Sequence, residues 1–223
     1  MKMAQAEQVV ERTIAVTTHG RYLIEPPAAS GPAPLLVGFH GYGEGAEAQL
    51  ERMRRIGGAD RWRLVSIQGL HRFYQRRADQ VVASWMTRQD RDLAIADNLA
   101  YVAAVLDQVD AEHPGATRIV VTGFSQGVAM AFRAAAASAR RIDGIIAAGG
   151  DVPPELDSDA LARVPRALVC RGTADEWYTE TIADRDIQRL RAANVRVTPV
   201  AFAGGHEWSE AVVQAAAQFL ADV

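Results

Sequence analysis

A serine stands between two glycines in Gly123-Phe124-Ser125-Gln126-Gly127, just after the apolar run Ile119–Thr122 and just before a stretch of small, helix-forming residues. This is G-x-S-x-G at a strand-to-helix junction. So tight a turn strains the serine backbone and leaves no room for side chains two positions away on either side. The strain aims the hydroxyl outward, and the following helix directs unpaired N–H groups at the same point. The chemistry implied is nucleophilic attack. A plain tight turn with a capping serine is the alternative, but with 18 glycines in 223 residues chance seldom writes this pattern.

A serine hydroxyl needs a base within hydrogen-bond reach and a carboxylate to orient that base. For such an elbow the expected chain order is Ser, acid, His. Of five histidines, His206 alone fits, in Gly204-Gly205-His206-Glu207-Trp208 ahead of the final helical segment. His19 falls in an N-terminal edge segment, His71 among arginines, and His113 at a helix end, where it would serve as a cap. Two acids follow strand-like runs: Asp175, in Gly172-Thr173-Ala174-Asp175-Glu176, and Asp151, in Gly149-Gly150-Asp151. Asp175 is preferred because its turn can carry the carboxylate toward His206, with Glu176 as the fallback. Asp184 and Asp186 are expected on a solvated helix face.

Acyl chemistry also needs two N–H donors for the negative oxygen of the tetrahedral intermediate. Losing either raises the barrier by about 3 kcal/mol. The residue after the nucleophile, Gln126, supplies one. The loop His40-Gly41-Tyr42-Gly43-Glu44 is expected to supply the other from Tyr42, with His40 bracing the loop. This loop lacks both G-x-G-x-x-G and a Walker lysine, which argues against a nucleotide site.

The elements that must position these groups alternate. Strand-like runs at Leu35–Phe39, Leu64–Ile67, Ile119–Thr122, Ile142–Ala147, Ala167–Val169 and Val195–Val200 are interleaved with helical patterns at Asp92–Asp110, Gln126–Ala139, Glu180–Ala193 and Glu207–Ala221. In the first of these helices Leu93, Ala96, Leu99, Val102, Ala103, Leu106 and Val109 form the apolar stripe. Thr13–Val16 and Tyr22–Glu25, flanking His19-Gly20, read as an antiparallel hairpin at a sheet edge. The fold class is α/β, with a mostly parallel sheet covered on both faces and a ligand crevice outside the carboxyl ends of the strands. Residues 1–223 read as one domain.

Composition fits this reading. The net charge is −3 with no clustered basic excess, so no nucleic-acid partner is expected. No apolar stretch reaches membrane-span length, and the N-terminal segment lacks the apolar core of a secretory signal. A cytoplasmic location is the expectation. Cys170, the single cysteine, sits in an apolar run as a buried, inert thiol. The long segment Gln68–Arg88 is expected to be a loop over the crevice. Phe73, Trp85 and Met86 from it, with Trp177 and Trp208, form the expected substrate pocket. His71, Arg72, Arg76 and Arg77 are expected on a solvated surface.

Taken in order, "FHGYGE", "SWMT", "GFSQGVAM", "RGTADEWY" and "GGHEW" resemble the phospholipase/carboxylesterase group of α/β-hydrolases, which includes acyl-protein thioesterases. The likeness implies the α/β-hydrolase fold and a Ser125–His206–Asp175 triad with oxyanion donors at Tyr42 and Gln126. It implies hydrolysis of small-molecule esters or thioesters without metal or organic cofactor, and a homodimer. Val128, Glu176 and Tyr42 stand where the group usually has glycine, an apolar residue and leucine. These departures spare the catalytic positions and fall on the substrate side, where short or medium acyl chains are expected. An acyltransferase or peptidase with the same triad, and a non-catalytic binding protein on the same fold, are the alternatives.

Overall fold

A computed structural model describes residues 9–75 and 79–223. Arg76 and Arg77 of the expected basic surface, and the first eight residues of the N-terminal segment, lie outside them. Along the chain the elements are β1 (Arg21–Glu25), β2 (Leu35–Phe39), α1 (Ala46–Arg54), β3 (Arg63–Gln68), β4 (His71–Gln75), β5 (Gln80–Ser84), α2 (Arg91–Glu112), β6 (Ile119–Phe124), α3 (Gln126–Ala137), β7 (Gly144–Ala148), α4 (Ser158–Ala162), β8 (Arg166–Gly172), α5 (Glu180–Ala192), β9 (Arg196–Phe202) and α6 (Glu210–Asp222).

Seven strands form one sheet in the order β1-β3-β2-β6-β7-β8-β9, all parallel except β1. The central strands are apolar throughout because both of their faces are covered. Their period of two sorts side chains cleanly between two cores. Val37, Val65, Val121, Ile145 and Val169 pack beneath α2, α3 and α5, while Leu36, Leu64, Val120, Ile146 and Leu168 pack beneath α1 and α6. Cys170 is fully buried in the second core, and burial pushes its thiol up to about 12. Among the described residues no helix is long and apolar enough to cross a membrane.

Three local readings need correction. β1 is antiparallel at the sheet edge, but its partner is β3; Thr13–Val16 is fully exposed and forms no strand. The segment Gln68–Arg88 is not a loop: it holds the hairpin β4–β5, paired from His71–Ser84 to Gln75–Gln80. Asp186 is not on a solvated face. It is fully buried beneath the loop after β7, where its Oδ2 accepts the Val152 N–H at 2.8 Å.

The strand order reverses at β2 and β6: from β2 the chain moves outward to β3, and from β6 it runs the other way. An open α/β sheet carries its crevice at such a switch point. Here the loop after β2 and the turn after β6 hold Tyr42 and Ser125.

Candidate active site

Ser125 lies at the end of β6 with φ 52° and ψ −121°, well outside the helical and extended regions. Its N–H donates to the Ala148 carbonyl at 3.0 Å and its own carbonyl accepts from Val128 N–H at 3.0 Å. The glycines are sterically required. A Cβ at Gly123 would sit 2.4 Å from the Gly127 carbonyl oxygen, and one at Gly127 would sit 2.1 Å from that of Phe39. The Ser125 hydroxyl does not cap α3. It lies 2.8 Å from His206 Nε2.

His206 Nδ1 is 2.9 Å from Asp175 Oδ2. A carboxylate can only accept, so Nδ1 carries the proton and Nε2 presents its lone pair to the Ser125 O–H. Asp175 Oδ1 accepts the N–H groups of Trp177 and Tyr178, each at 2.9 Å. Burial works against the Asp175 charge. The Tyr178 N–H, the His206 imidazole and the Trp177 N–H outweigh it and hold the carboxyl below its ordinary range. The loops carrying acid and base are tied together: Thr173 N–H donates to Phe202 O and Ala174 N–H to Gly204 O, both at 2.8 Å. Asp151 also reaches the crevice but makes no bond to His206 among the described residues.

The Tyr42 loop is braced from three sides. Glu44 Oε2 accepts the Gly41 N–H at 2.8 Å, and Arg52 grips both Glu44 oxygens at 2.6 and 2.5 Å. The Gly43 N–H donates to Ala83 O at 3.0 Å and the Ala83 N–H to Glu44 O at 2.7 Å, so β5 clamps the loop. His40, fully buried, donates from Nδ1 to Gly41 O at 2.7 Å and accepts the Gly69 N–H at Nε2, 3.0 Å away. Burial lowers its imidazole below the ordinary value, and these two partners suit only the neutral ring. The Tyr42 and Gln126 N–H groups have no acceptor among the described residues.

Residues 23–223 match the phospholipase/carboxylesterase family. The chain belongs to this family. It therefore has the family's α/β-hydrolase fold and is a hydrolase of the carboxylesterase type. No curated protein sequence matches it. Acyl-protein thioesterase 2 of Zea mays superposes with a TM-score of 0.72 at 16% identity, covering 92% of this chain and 99% of the plant protein. The carboxylesterase of Bacillus cereus gives 0.73 at 16% identity, over 91% and 94% of the two chains. A carboxylesterase from Mesorhizobium loti gives 0.72 at 19% identity, over 85% and 89%.

The five pocket positions expected for this family member divide. Trp177, 79% exposed, lines a crevice of about 630 Å³ that also holds Ser125, His206 and Tyr42. Phe73 stands back from it and stacks on the Tyr42 ring, centroids 5.6 Å apart. Trp85, Met86 and Trp208 are not on the crevice wall. Trp85 has no exposed surface; its indole stacks on His40 and its Nε1–H donates to the His40 carbonyl at 2.8 Å. Met86 offers its carbonyl to the Gln126 side-chain amide at 3.1 Å, while the Trp85 N–H donates to Gln126 Oε1 at 2.9 Å. Trp208 is buried against Phe124 in the second core. Trp85 thus braces the His40 and Gln126 segments from behind, Met86 bonds Gln126 through its main chain, and Trp208 packs behind Phe124.

Glu44, Arg52, Phe124 and Asn98 were not singled out from sequence. The Arg52 guanidinium lies over the Phe124 ring, 4.2 Å from its centroid, and the His206 imidazole is 5.1 Å from the same ring. Asn98 is fully buried on α2, accepting the Leu70 N–H and donating to Trp85 O. Among the described residues no cluster of His, Cys, Asp or Glu is arranged to hold a metal ion.

Proposed function

We propose that this hydrolase cleaves carboxylic esters or thioesters of small molecules through a covalent acyl group on Ser125. His206 Nε2 takes the Ser125 proton as Oγ bonds to the substrate carbonyl carbon. The Tyr42 and Gln126 N–H groups receive the oxygen that becomes negative. As the intermediate collapses, His206 returns the proton to the departing alcohol or thiol. A water then gives its proton to His206, attacks the acyl carbon and frees the carboxylic acid and the Ser125 hydroxyl. Asp175 keeps the proton on Nδ1 and stabilises the imidazolium.

The observation that carries this reading is the continuous line Oγ to Nε2 at 2.8 Å and Nδ1 to Oδ2 at 2.9 Å, in a crevice also lined by Tyr42 and Gln126, whose N–H groups have no acceptor among the described residues. A binding protein would have no need of it. The crevice volume lies within the range of small-molecule sites and suits short or medium acyl chains. The test is hydrolysis of p-nitrophenyl esters of increasing chain length by the wild type and by Ser125→Ala. Turnover by the wild type that falls at least about 10³-fold in the variant supports the reading. Equal rates, or no turnover of any ester, overturn it.

A further inference from the structure

The crevice is lined by two carboxylates, Glu44 and Asp151. They are not equivalent. Both oxygens of Glu44 are held by Arg52, so its charge is spent inside the loop brace. Asp151 is exposed and makes no hydrogen bond or ion pair among the described residues. The nearby guanidinium groups are engaged elsewhere: Arg133 is held by Glu155 at 2.6 Å, and Arg185 by Asp186 at 2.9 Å. Asp151 is therefore the one carboxylate among the described residues of the crevice wall with no direct partner; Arg133 and Arg185 act on it only from a longer distance.

Its position is fixed by Asp186 and Arg189 of α5 and by the sheet. The next residue, Val152, donates its N–H to buried Asp186 at 2.8 Å. Arg189 donates to the carbonyls of Val152, Pro153 and Leu156 at 3.0, 3.0 and 2.8 Å. Gly149, just before this loop, is tied by its N–H to Cys170 O at 3.0 Å. Four hydrogen bonds to a rigid helix and one to the sheet thus hold a short loop whose exposed side chain is an acid. The same crevice is lined by the exposed rings of Trp177 and Tyr42, 79% and 63% accessible, with Tyr178 in the wall. A carboxylate that shares a crevice with an exposed indole and an exposed phenol ring is the composition that recognises an ammonium group, by direct charge attraction and by cation–π contact.

We propose that Asp151 is a specificity-determining residue that selects ester or thioester substrates carrying a cationic ammonium group and disfavours anionic ones. This rests on the hydrolase reading above. The ammonium can belong to the acyl part or to the leaving group, and isosteric substrate pairs distinguish the two. For the leaving group the pair is acetylthiocholine against the neutral 3,3-dimethylbutyl thioacetate. For the acyl part it is the 4-aminobutyryl against the pentanoyl ester of one phenol. The preference in each case is the ratio of kcat/KM within a pair.

The wild type is expected to prefer the cationic member of at least one pair by about fivefold to tenfold at low salt, a ratio that shrinks as ionic strength rises. Asp151→Asn, which keeps size and loop geometry, should bring that ratio to about one while leaving kcat/KM of the neutral member within about twofold. Asp151→Lys should reverse the preference, favouring a succinate monoester over its neutral counterpart. A purely structural Asp151 would lower both members of a pair together. Wild-type turnover of the neutral substrates with no cationic preference, or an unchanged ratio in Asp151→Asn, would overturn this proposal and leave the hydrolase reading standing. Turnover of no substrate would overturn both.

Discussion

Trp85→Phe separates a residue that touches substrate from one that holds the loop behind it. The substitution keeps an aromatic ring beside Phe39 and His40 but removes the indole N–H that donates to the buried His40 carbonyl at 2.8 Å. Leaving a buried carbonyl without that donor costs about 1–3 kcal/mol. The space vacated by the smaller ring adds roughly 1 kcal/mol. The sum of about 2–4 kcal/mol lowers Tm by roughly 5–15 °C in a chain of this size. His40, Glu44 and β5 still brace the Tyr42 loop, so kcat should fall by less than the roughly 100-fold that a misplacement of 1 Å can cause. Because Trp85 has no exposed surface, the order of preference among p-nitrophenyl acyl chain lengths should not change. Differential scanning fluorimetry and kcat/KM across the ester series read both quantities. An unchanged Tm with a chain-length optimum shifted by two or more carbons would refute this placement and put Trp85 on the substrate wall.

Asp175→Asn should lower kcat by about 10⁴-fold, since an amide can donate to Nδ1 and favour the wrong tautomer; steady-state kinetics with a short-chain ester check this. Gly127→Ala places a methyl 2.1 Å from the Phe39 carbonyl oxygen, so it should fail to fold or lose most of its stability in urea titration. Native-like stability would contradict the close approach of α3 to β2. His40 makes stability depend on pH: burial holds its imidazole pKa below the ordinary value in the fold, so the unfolded chain binds the proton first. Stability from this residue is complete above the ordinary imidazole value of about 6.5 and is lost as pH falls below it. Urea midpoints from pH 8 to 5 should therefore converge for the wild type and His40→Gln as pH falls.

Sequence periodicity was enough for the sheet and its flanking helices because each central strand is apolar on both faces and each junction carries small residues. The placing of the candidate positions at one crevice was legible for a related reason. Ser125, Asp175 and His206 each follow a strand end, where a crevice must lie, and the glycines around Ser125 report a steric need that the structure makes explicit. What escaped were residues that work through long-range pairing. The stripe of α2 holds at Val102, Leu106 and Val109, but at its start the helix buries Ala94 and Asn98 in place of Leu93 and Ala96. Asn98 faces inward because Leu70 and Trp85 need its amide, and apolar spacing carries no sign of that. Asp186 was assigned to solvent because a lone aspartate on a helix usually is; here it anchors the loop after β7. Trp85 reads as a pocket wall from its place in the long segment over the crevice, and Trp208 from its nearness in sequence to His206; neither fact says which side of a loop a ring occupies. α1 was missed although Ala46, Gln49, Leu50 and Met53 recur at helical spacing, since Gln49 interrupts the apolar pattern.

The proposal that His206 makes Ser125 nucleophilic underlies every step of the reaction. Its most direct test is the intact mass of the protein after exposure to a fluorophosphonate probe, with the adduct mapped by peptide sequencing, for the wild type, Ser125→Ala and His206→Ala. One probe per wild-type chain, located on Ser125, with no adduct on Ser125→Ala and labelling of His206→Ala slowed by orders of magnitude, is the expected result. An unlabelled wild type, an adduct on another residue, or labelling of Ser125 at the same rate without His206 would contradict the account.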